Sequence, residues 1–202
     1  MFTGIITEVG TVTAIEPTDG GARLVIRAPH TVAGAAVGDS IAVNGVCLTA
    51  TEISPIGFTC DAIGETLGRS ALADLTVEGA VNLERPMVAM GRFDGHIVQG
   101  HVDGVGTISG IESEGEARRL RIQIPPVIAP YTVEKGSIAV DGVSLTLTAV
   151  SEPGEPDPWI EVALIPHTMT STVFGKRSVG DRVNLEVDIV AKYVERLLGY
   201  GP

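Results

Sequence analysis

Cysteine is scarce in this chain of 202 residues, with Cys47 and Cys60 the whole complement. Two thiols thirteen residues apart do not make a disulfide framework. Histidine is scarce too, at four, and only His96 and His101 lie close together. Five apart, they share neither one strand face nor a usual helical metal pair, and no third cysteine or histidine accompanies them, so no metal is expected. Basic residues number 14 against 25 acidic ones, a formal net charge of -11. That field repels nucleic acid and anionic membrane surfaces, and no local basic patch overrides it. No stretch approaches the roughly 18 apolar residues of a membrane span. The N-terminus lacks a positive region and a cleavage pattern, which makes the cytoplasm the expected compartment.

Aromatic residues are only 4% of the chain, yet 44% is hydrophobic, with abundant Val, Ile, Thr and Gly. Such a composition suits compact β-structure with many turns and excludes disorder. The stretch Ser40-Ile41-Ala42-Val43-Asn44-Gly45-Val46-Cys47-Leu48-Thr49 returns as Ser137-Ile138-Ala139-Val140-Asp141-Gly142-Val143-Ser144-Leu145-Thr146. Only Asn44 to Asp141 and Cys47 to Ser144 differ, and the step is 97 residues. A period that long is a duplicated domain rather than a solenoid unit. Each copy reads as a hairpin, because Asn-Gly or Asp-Gly supplies the positive φ of a tight turn. Residues two apart on a strand share a face, which aligns Cys47 with Thr49 and Ser144 with Thr146 as a polar wall.

The copies run in step from their starts. Thr11–Ile15 and Arg23–Arg27 read as strands, echoed by Thr107–Ile111 and Arg119–Gln123. Val81-Asn82-Leu83-Glu84 recurs as Val183-Asn184-Leu185-Glu186, now at a step of 102. The five extra residues fall in the proline-rich loop Glu152–Pro158, a surface insertion. Segments from Glu65 to Leu75 and from Thr168 to Phe174 have helical character, with Thr66 and Thr168 as candidate N-caps. About six short strands and a small helix per copy favour a small antiparallel barrel, which also removes edge strands. After Asp188, the apolar positions Ile189, Val190, Tyr193, Val194, Leu197 and Leu198 mark an amphipathic helix with Asp188 as N-cap and Gly199 as stop. Either oligomerisation or packing within the chain can bury its stripe.

The chemical inventory is one thiol, several hydroxyls, the histidines, Lys135 before the second hairpin, and scattered carboxylates. No Ser-His-Asp order, nucleophile elbow or phosphate loop stands out. His96 and His101 fit hydrogen bonding in a glycine-rich turn, and of the two His101, which opens the second copy, is the better candidate for a cleft.

Six segments then carry a resemblance over the whole chain: Met1–Ile5, Asn44–Thr49, Gly95–Asp103, Lys135–Thr146, Ile165–Thr168 and Val183–Asp188. In this order they resemble the riboflavin synthase family, alpha-chain type. The resemblance implies an all-β chain with a C-terminal α-helix, built as two tandem homologous six-stranded Greek-key β-barrels. Residues 1–97 and 98–188 would be the barrels, and 189–202 a helix and tail joining three chains into a homotrimer. It implies the dismutation of two molecules of 6,7-dimethyl-8-ribityllumazine into riboflavin and 5-amino-6-ribitylaminouracil, with no cofactor. Lumazine synthase is a candidate partner.

Carried over by motif, one lumazine is expected at Gly4, Ile5, Ile6, Cys47, Leu48, Thr49 and Ala62, Ile63, Gly64, Glu65, Thr66. The other is expected at Gly100, His101, Val102, Lys135, Ser144, Leu145, Thr146 and Ile165, Pro166, His167, Thr168. Phe2 would stack on or position a ring, and Asp188 joins His101, Ser144, Thr146, Cys47, Phe2 and Lys135 as a catalytic candidate. The base is His101, a hydroxyl or the substrate itself, and the nucleophile water or Cys47. A non-catalytic lumazine- or flavin-binding protein of the same fold is the alternative, and a generic β-barrel interaction module would leave the polar walls unexplained.

Overall fold

The computed structural model describes residues 1–199, so the last three residues of the expected tail lie outside the described residues. Strands β1 (Glu8–Thr18), β2 (Gly21–Arg27), β3 (Ser40–Val43), β4 (Val46–Ser54), β5 (Gly57–Ile63) and β6 (Ala80–Glu84) close in the order β1-β2-β5-β4-β3-β6. Strands β7 (Gly104–Glu114), β8 (Ala117–Gln123), β9 (Ser137–Val140), β10 (Val143–Val150), β11 (Trp159–Leu164) and β12 (Arg182–Val187) repeat that order as β7-β8-β11-β10-β9-β12. Alternation along each strand sends one set of side chains inward. Leu24, Ile26, Ile41, Leu48, Phe58 and Leu83 fill the first barrel, and Ile122, Ile138, Leu145, Leu147 and Leu185 the second. Each such side chain contributes ~1.5–3 kcal/mol by leaving water.

The repeated hairpins turn where the Asn-Gly and Asp-Gly pairs predict. Asn44 and Gly45 have φ of 43° and 76°, Asp141 and Gly142 of 44° and 78°, the geometry of a primed turn. Their tips meet at a pseudo-two-fold axis. A Cβ on Gly45 would lie 2.6 Å from the Gly142 nitrogen, and one on Gly142 2.8 Å from the Gly45 nitrogen. The recurrent Val-Asn-Leu-Glu explains itself at the same axis. Asn82 Nδ2 donates to Asp141 O at 2.9 Å, and Asn184 Nδ2 to Asn44 O at 2.8 Å. The asparagine oxygens accept the opposite barrel's Val173 and Ala71 N–H groups at 2.8 and 2.6 Å. The turn's one change, Asn44 to Asp141, is matched by Arg177, which bonds Asp141 Oδ2 at 2.5 Å.

Each expected helical segment divides. Helix α1 (Gly64–Arg69) gives way to a 3₁₀ turn over Ala71–Asp74, and α2 (Pro166–Ser171) to one over Val173–Lys176. Thr66 and Thr168 are not N-caps, since the helices start earlier, after Ile63 and Ile165. Ser70 and Thr172 cap the 3₁₀ turns instead. Helix α3 (Ile189–Leu198) starts at Asp188, whose Oδ1 accepts the Val190 N–H at 3.0 Å. Lys192 binds Asp103 at 2.5 Å and Glu195 accepts the Tyr131 hydroxyl at 2.5 Å, tying α3 to the second barrel. Val190, Tyr193, Val194, Leu197 and Leu198 remain exposed.

Candidate functional site

The segment opening each repeat lies outside the strands and runs along the pseudo-two-fold axis. Phe2 and Val98 exchange backbone hydrogen bonds of 2.7 and 3.1 Å across that axis. The pairing carries each segment onto the other barrel's hairpin. Gly4 O accepts the Ser144 N–H at 2.8 Å, and Gly100 O accepts the Cys47 N–H at 2.9 Å. Glycine is required at both places, with φ of 77° and 80°, because a Cβ would lie 2.6 Å from the Ser144 or the Cys47 Cβ.

This corrects the grouping expected from sequence. Gly4, Ile5 and Ile6 line a pocket with Val143, Ser144, His167, Thr168, Ser171 and Thr172, of about 110 Å³. Gly100, His101 and Val102 line one with Val46, Cys47, Glu65, Thr66, Arg69 and Ser70, of about 210 Å³. The physical reason is the antiparallel bridge at the axis, which no feature within either segment announces.

The remaining candidates sort by the face they occupy. Thr49 and Thr146 are exposed on the outer face that Cys47 and Ser144 share, while Leu48 and Leu145 point into the cores with Ala62. Those three can offer a ligand only backbone groups. Ile63, Gly64, Glu65, Ile165, Pro166 and His167 are exposed around the first turns of α1 and α2. Phe2 is fully buried among Ala42, Val98 and Ala139, with Cys47 against it. It has no ring face free to stack on a ligand. Lys135 lies outside both pockets, its side chain 76% exposed and 3.9 Å from Glu134. Its backbone occupies the left-handed region, φ 68°, as the corresponding Gly38 does at 96°. Asp188 Oδ1 caps α3, and the Asp188 charge also acts electrostatically on His96.

His96 is the residue that sequence reasoning passed over. Its Nδ1 lies 2.7 Å from Ser144 Oγ, and its backbone N–H donates to Thr3 O at 3.1 Å. Burial lowers its pKa from the usual 6.5, with the Asp188 charge pulling the other way. A neutral imidazole bonded to a serine hydroxyl can take its proton, the pairing of a general base with a hydroxyl. The two histidines part company: His96 bonds Ser144, while His101 lines the Cys47 pocket. The two cysteines also separate, since Cys47 is accessible while burial pushes the Cys60 thiol up to about 12, helped by Asp61.

Two domain matches span the chain. The lumazine binding domain model matches residues 3–86 and again 99–188. The riboflavin synthase of Mycobacterium tuberculosis is 52% identical over 199 residues, covering 98% of both chains. The chain belongs to the riboflavin synthase family. Further relatives are the riboflavin synthases of Actinobacillus pleuropneumoniae, 46% identical, and Bacillus subtilis, 42% identical, each with 98% of this chain and 90% of the relative covered. Among solved structures, LumP complexed with 6,7-dimethyl-8-(1'-D-ribityl) lumazine superposes with a TM-score of 0.82 at 25% identity. LumP complexed with riboflavin gives 0.83 at 26%, and both alignments cover 93% of this chain and 99% of the other. Both sequence matches start at the exchanged segments, residues 3 and 99, so the family's unit of similarity includes the piece that each barrel lends to the other.

Proposed function

We propose that this chain is a riboflavin synthase that converts two 6,7-dimethyl-8-ribityllumazine molecules into riboflavin and 5-amino-6-ribitylaminouracil. The observation that carries the reading is the doubling of one pocket within a chain whose near full-length relatives are riboflavin synthases. A reaction that consumes two copies of one substrate needs two sites of one shape. Backbone groups beside Cys47 and Ser144 would pair with the uracil-like edge of the ring, and the threonines of the outer faces with the ribityl chain.

The chemistry requires removal of a proton from the C7 methyl group of one lumazine and attack at C7 of the other by a nucleophile. His96 and Ser144 form the base candidate with the best geometry, at 2.7 Å. At the Cys47 pocket, His101 can carry a proton and Cys47 or water can add to the ring. Holding the rings face to face contributes on the order of 7–11 kcal/mol relative to free encounter.

Pockets of about 210 and 110 Å³ fall short of the roughly 300–1,000 Å³ of ligand sites. We infer that a second chain completes each, with the Cys47 pocket of one chain against the Ser144 pocket of its neighbour in a homotrimer. The exposed stripe of α3 is the matching assembly surface. Among the described residues no helix is long and apolar enough to cross a membrane, and a cytoplasmic location is proposed. Lumazine synthase is the proposed partner, to be tested by co-sedimentation.

The test is incubation of the purified protein with the lumazine alone. Appearance of one riboflavin per two lumazines consumed is expected. Binding without turnover would establish the second reading, a lumazine- or flavin-binding protein, which the likeness to LumP favours. The presence of Lys135, Ser144, Thr146 and Asp188 beside His101 and Cys47 favours the enzyme.

A further inference from the structure

Each barrel's last strand ends its repeated motif in a buried glutamate that bonds to no cation among the described residues. Glu84 is 4% exposed and Glu186 3%. Glu84 Oε1 accepts the Thr3 N–H and the Thr3 hydroxyl, both at 2.7 Å, and its Oε2 accepts the Gly4 N–H at 2.9 Å. Glu186 accepts the Gln99 N–H at 2.6 Å, the Gly100 N–H at 2.8 Å and the His101 N–H at 2.9 Å. Burying a carboxylate is costly unless charged-acceptor hydrogen bonds compensate. Here three such bonds offset part of that cost, and they give segments outside the strand ladders the partners that a sheet would supply. Burial holds both carboxyls above the usual carboxylate range, and the N–H groups pull the other way without cancelling it.

We propose that Glu84 and Glu186 are positioning residues that act crosswise. Glu84 of the first barrel sets the Ser144 pocket, and Glu186 of the second barrel sets the Cys47 pocket. The chain of contact is short. Glu186 holds Gly100, whose carbonyl accepts the Cys47 N–H and whose α-carbon closes over the Cys47 Cβ. It also holds the backbone of His101, which lines the same pocket. Glu84 holds Gly4, which stands in the same relation to Ser144. Only a carboxylate presents acceptors alone to three donors. Glutamine turns an NH₂ group toward an N–H and releases the segment.

This inference rests on the proposed function only for its ligand, and the experiment separates the two. Full-length Glu84→Gln and Glu186→Gln are alkylated with iodoacetamide, and modification of Cys47 is followed by mass spectrometry without ligand. Glu186→Gln should change the Cys47 rate several-fold, while Glu84→Gln, although in the barrel that carries Cys47, leaves it at the wild-type value. Repeating the assay with an 8-ribityllumazine lacking the C7 methyl group, which cannot lose the reacting proton, tests the sites as sites. Wild type should show protection of Cys47 and two ligands per chain. Glu186→Gln should lose that protection and keep one ligand, and Glu84→Gln should keep the protection and bind one ligand. Glu84→Asp and Glu186→Asp should show the same pattern at smaller amplitude, which covers a glutamine variant that does not fold. Equal changes in both variants, or a Cys47 response to Glu84 alone, would overturn the crosswise assignment. An unprotected wild type would instead sink the ligand reading, with the ligand-free rates still deciding the clamp.

Discussion

Around Cys47 the side chains are a thiol, His101 and the Glu65–Arg69 ion pair. At the corresponding places around Ser144 stand a hydroxyl, Ile5, His167 and Ser171, with His96 added from the linker. The supporting parts do not differ in this way: hairpin turn, closing glycine, buried glutamate and crossing asparagine are repeated, with Asn44 to Asp141 as the exception. Groups that set geometry have been kept in duplicate, as have the lining pairs Val46/Val143 and Thr66/Thr168, while Cys47/Ser144, His101/Ile5, Glu65/His167 and Arg69/Ser171 have diverged. Two like pockets with unlike side chains suit a reaction in which identical molecules take different roles.

The largest effect is expected from removing the assembly surface proposed to bring the two pockets together. Truncation after Asp188 deletes α3, and sedimentation should show monomers without turnover, since the proximity term of ~7–11 kcal/mol is lost. Active truncated trimers would refute this.

Next come the pocket side chains. Ser144→Ala or His96→Gln should lower kcat by about 10²- to 10⁴-fold, the usual range for acid–base catalysis, and Cys47→Ser by less. Because burial lowers the His96 pKa, the neutral form is the one the fold favours. The stability it contributes is complete above the unfolded value of 6.5 and declines as pH falls toward the folded one. The acid limb of kcat should therefore lie below pH 6.5 and disappear in His96→Gln.

Mixing experiments sharpen the comparison further. Refolding Cys47→Ala together with Ser144→Ala should restore activity, because some interfaces then join an intact Cys47 pocket to an intact Ser144 pocket. Cys47→Ala with His101→Ala should give no rescue, since both lesions fall in one pocket. Rescue in the second mixture would break the crossed arrangement.

Smaller effects follow for residues that the motif match placed at the ligand. Leu48→Ala and Leu145→Ala should each cost ~2–5 kcal/mol of stability by chemical denaturation, as core truncations do, with no preference for one ligand site. Smallest is Lys135→Gly, which relieves a left-handed backbone worth ~1–2 kcal/mol and should leave turnover within about twofold.

Periodicity and turn chemistry were enough to read the barrels. Alternating Ile and Val, the Asn-Gly and Asp-Gly turns and the doubled Val-Asn-Leu-Glu all speak through local geometry, and α3 follows from its stripe and its Asp188 cap. The early start of α1 was less legible because Gly64 is a weak helix former, whereas Pro166 at the first position of α2 is a start signal that the reading from Thr168 did not use.

From its own residues, then, the sequence determined the duplication, the strand faces that set Cys47 beside Thr49 and Ser144 beside Thr146, and the chemical inventory. Which segment meets which hairpin was left to the tertiary structure. The strand period of two tells where a side chain points, but a contact between residues 4 and 144 or 47 and 100 depends on the pairing of Phe2 with Val98 across a pseudo-two-fold axis. Two near-identical hairpins offer either segment the same local partners. In the folded chain Glu84 holds residues 3 and 4, Glu186 holds residues 99 to 101, and the linker carries His96 to Ser144.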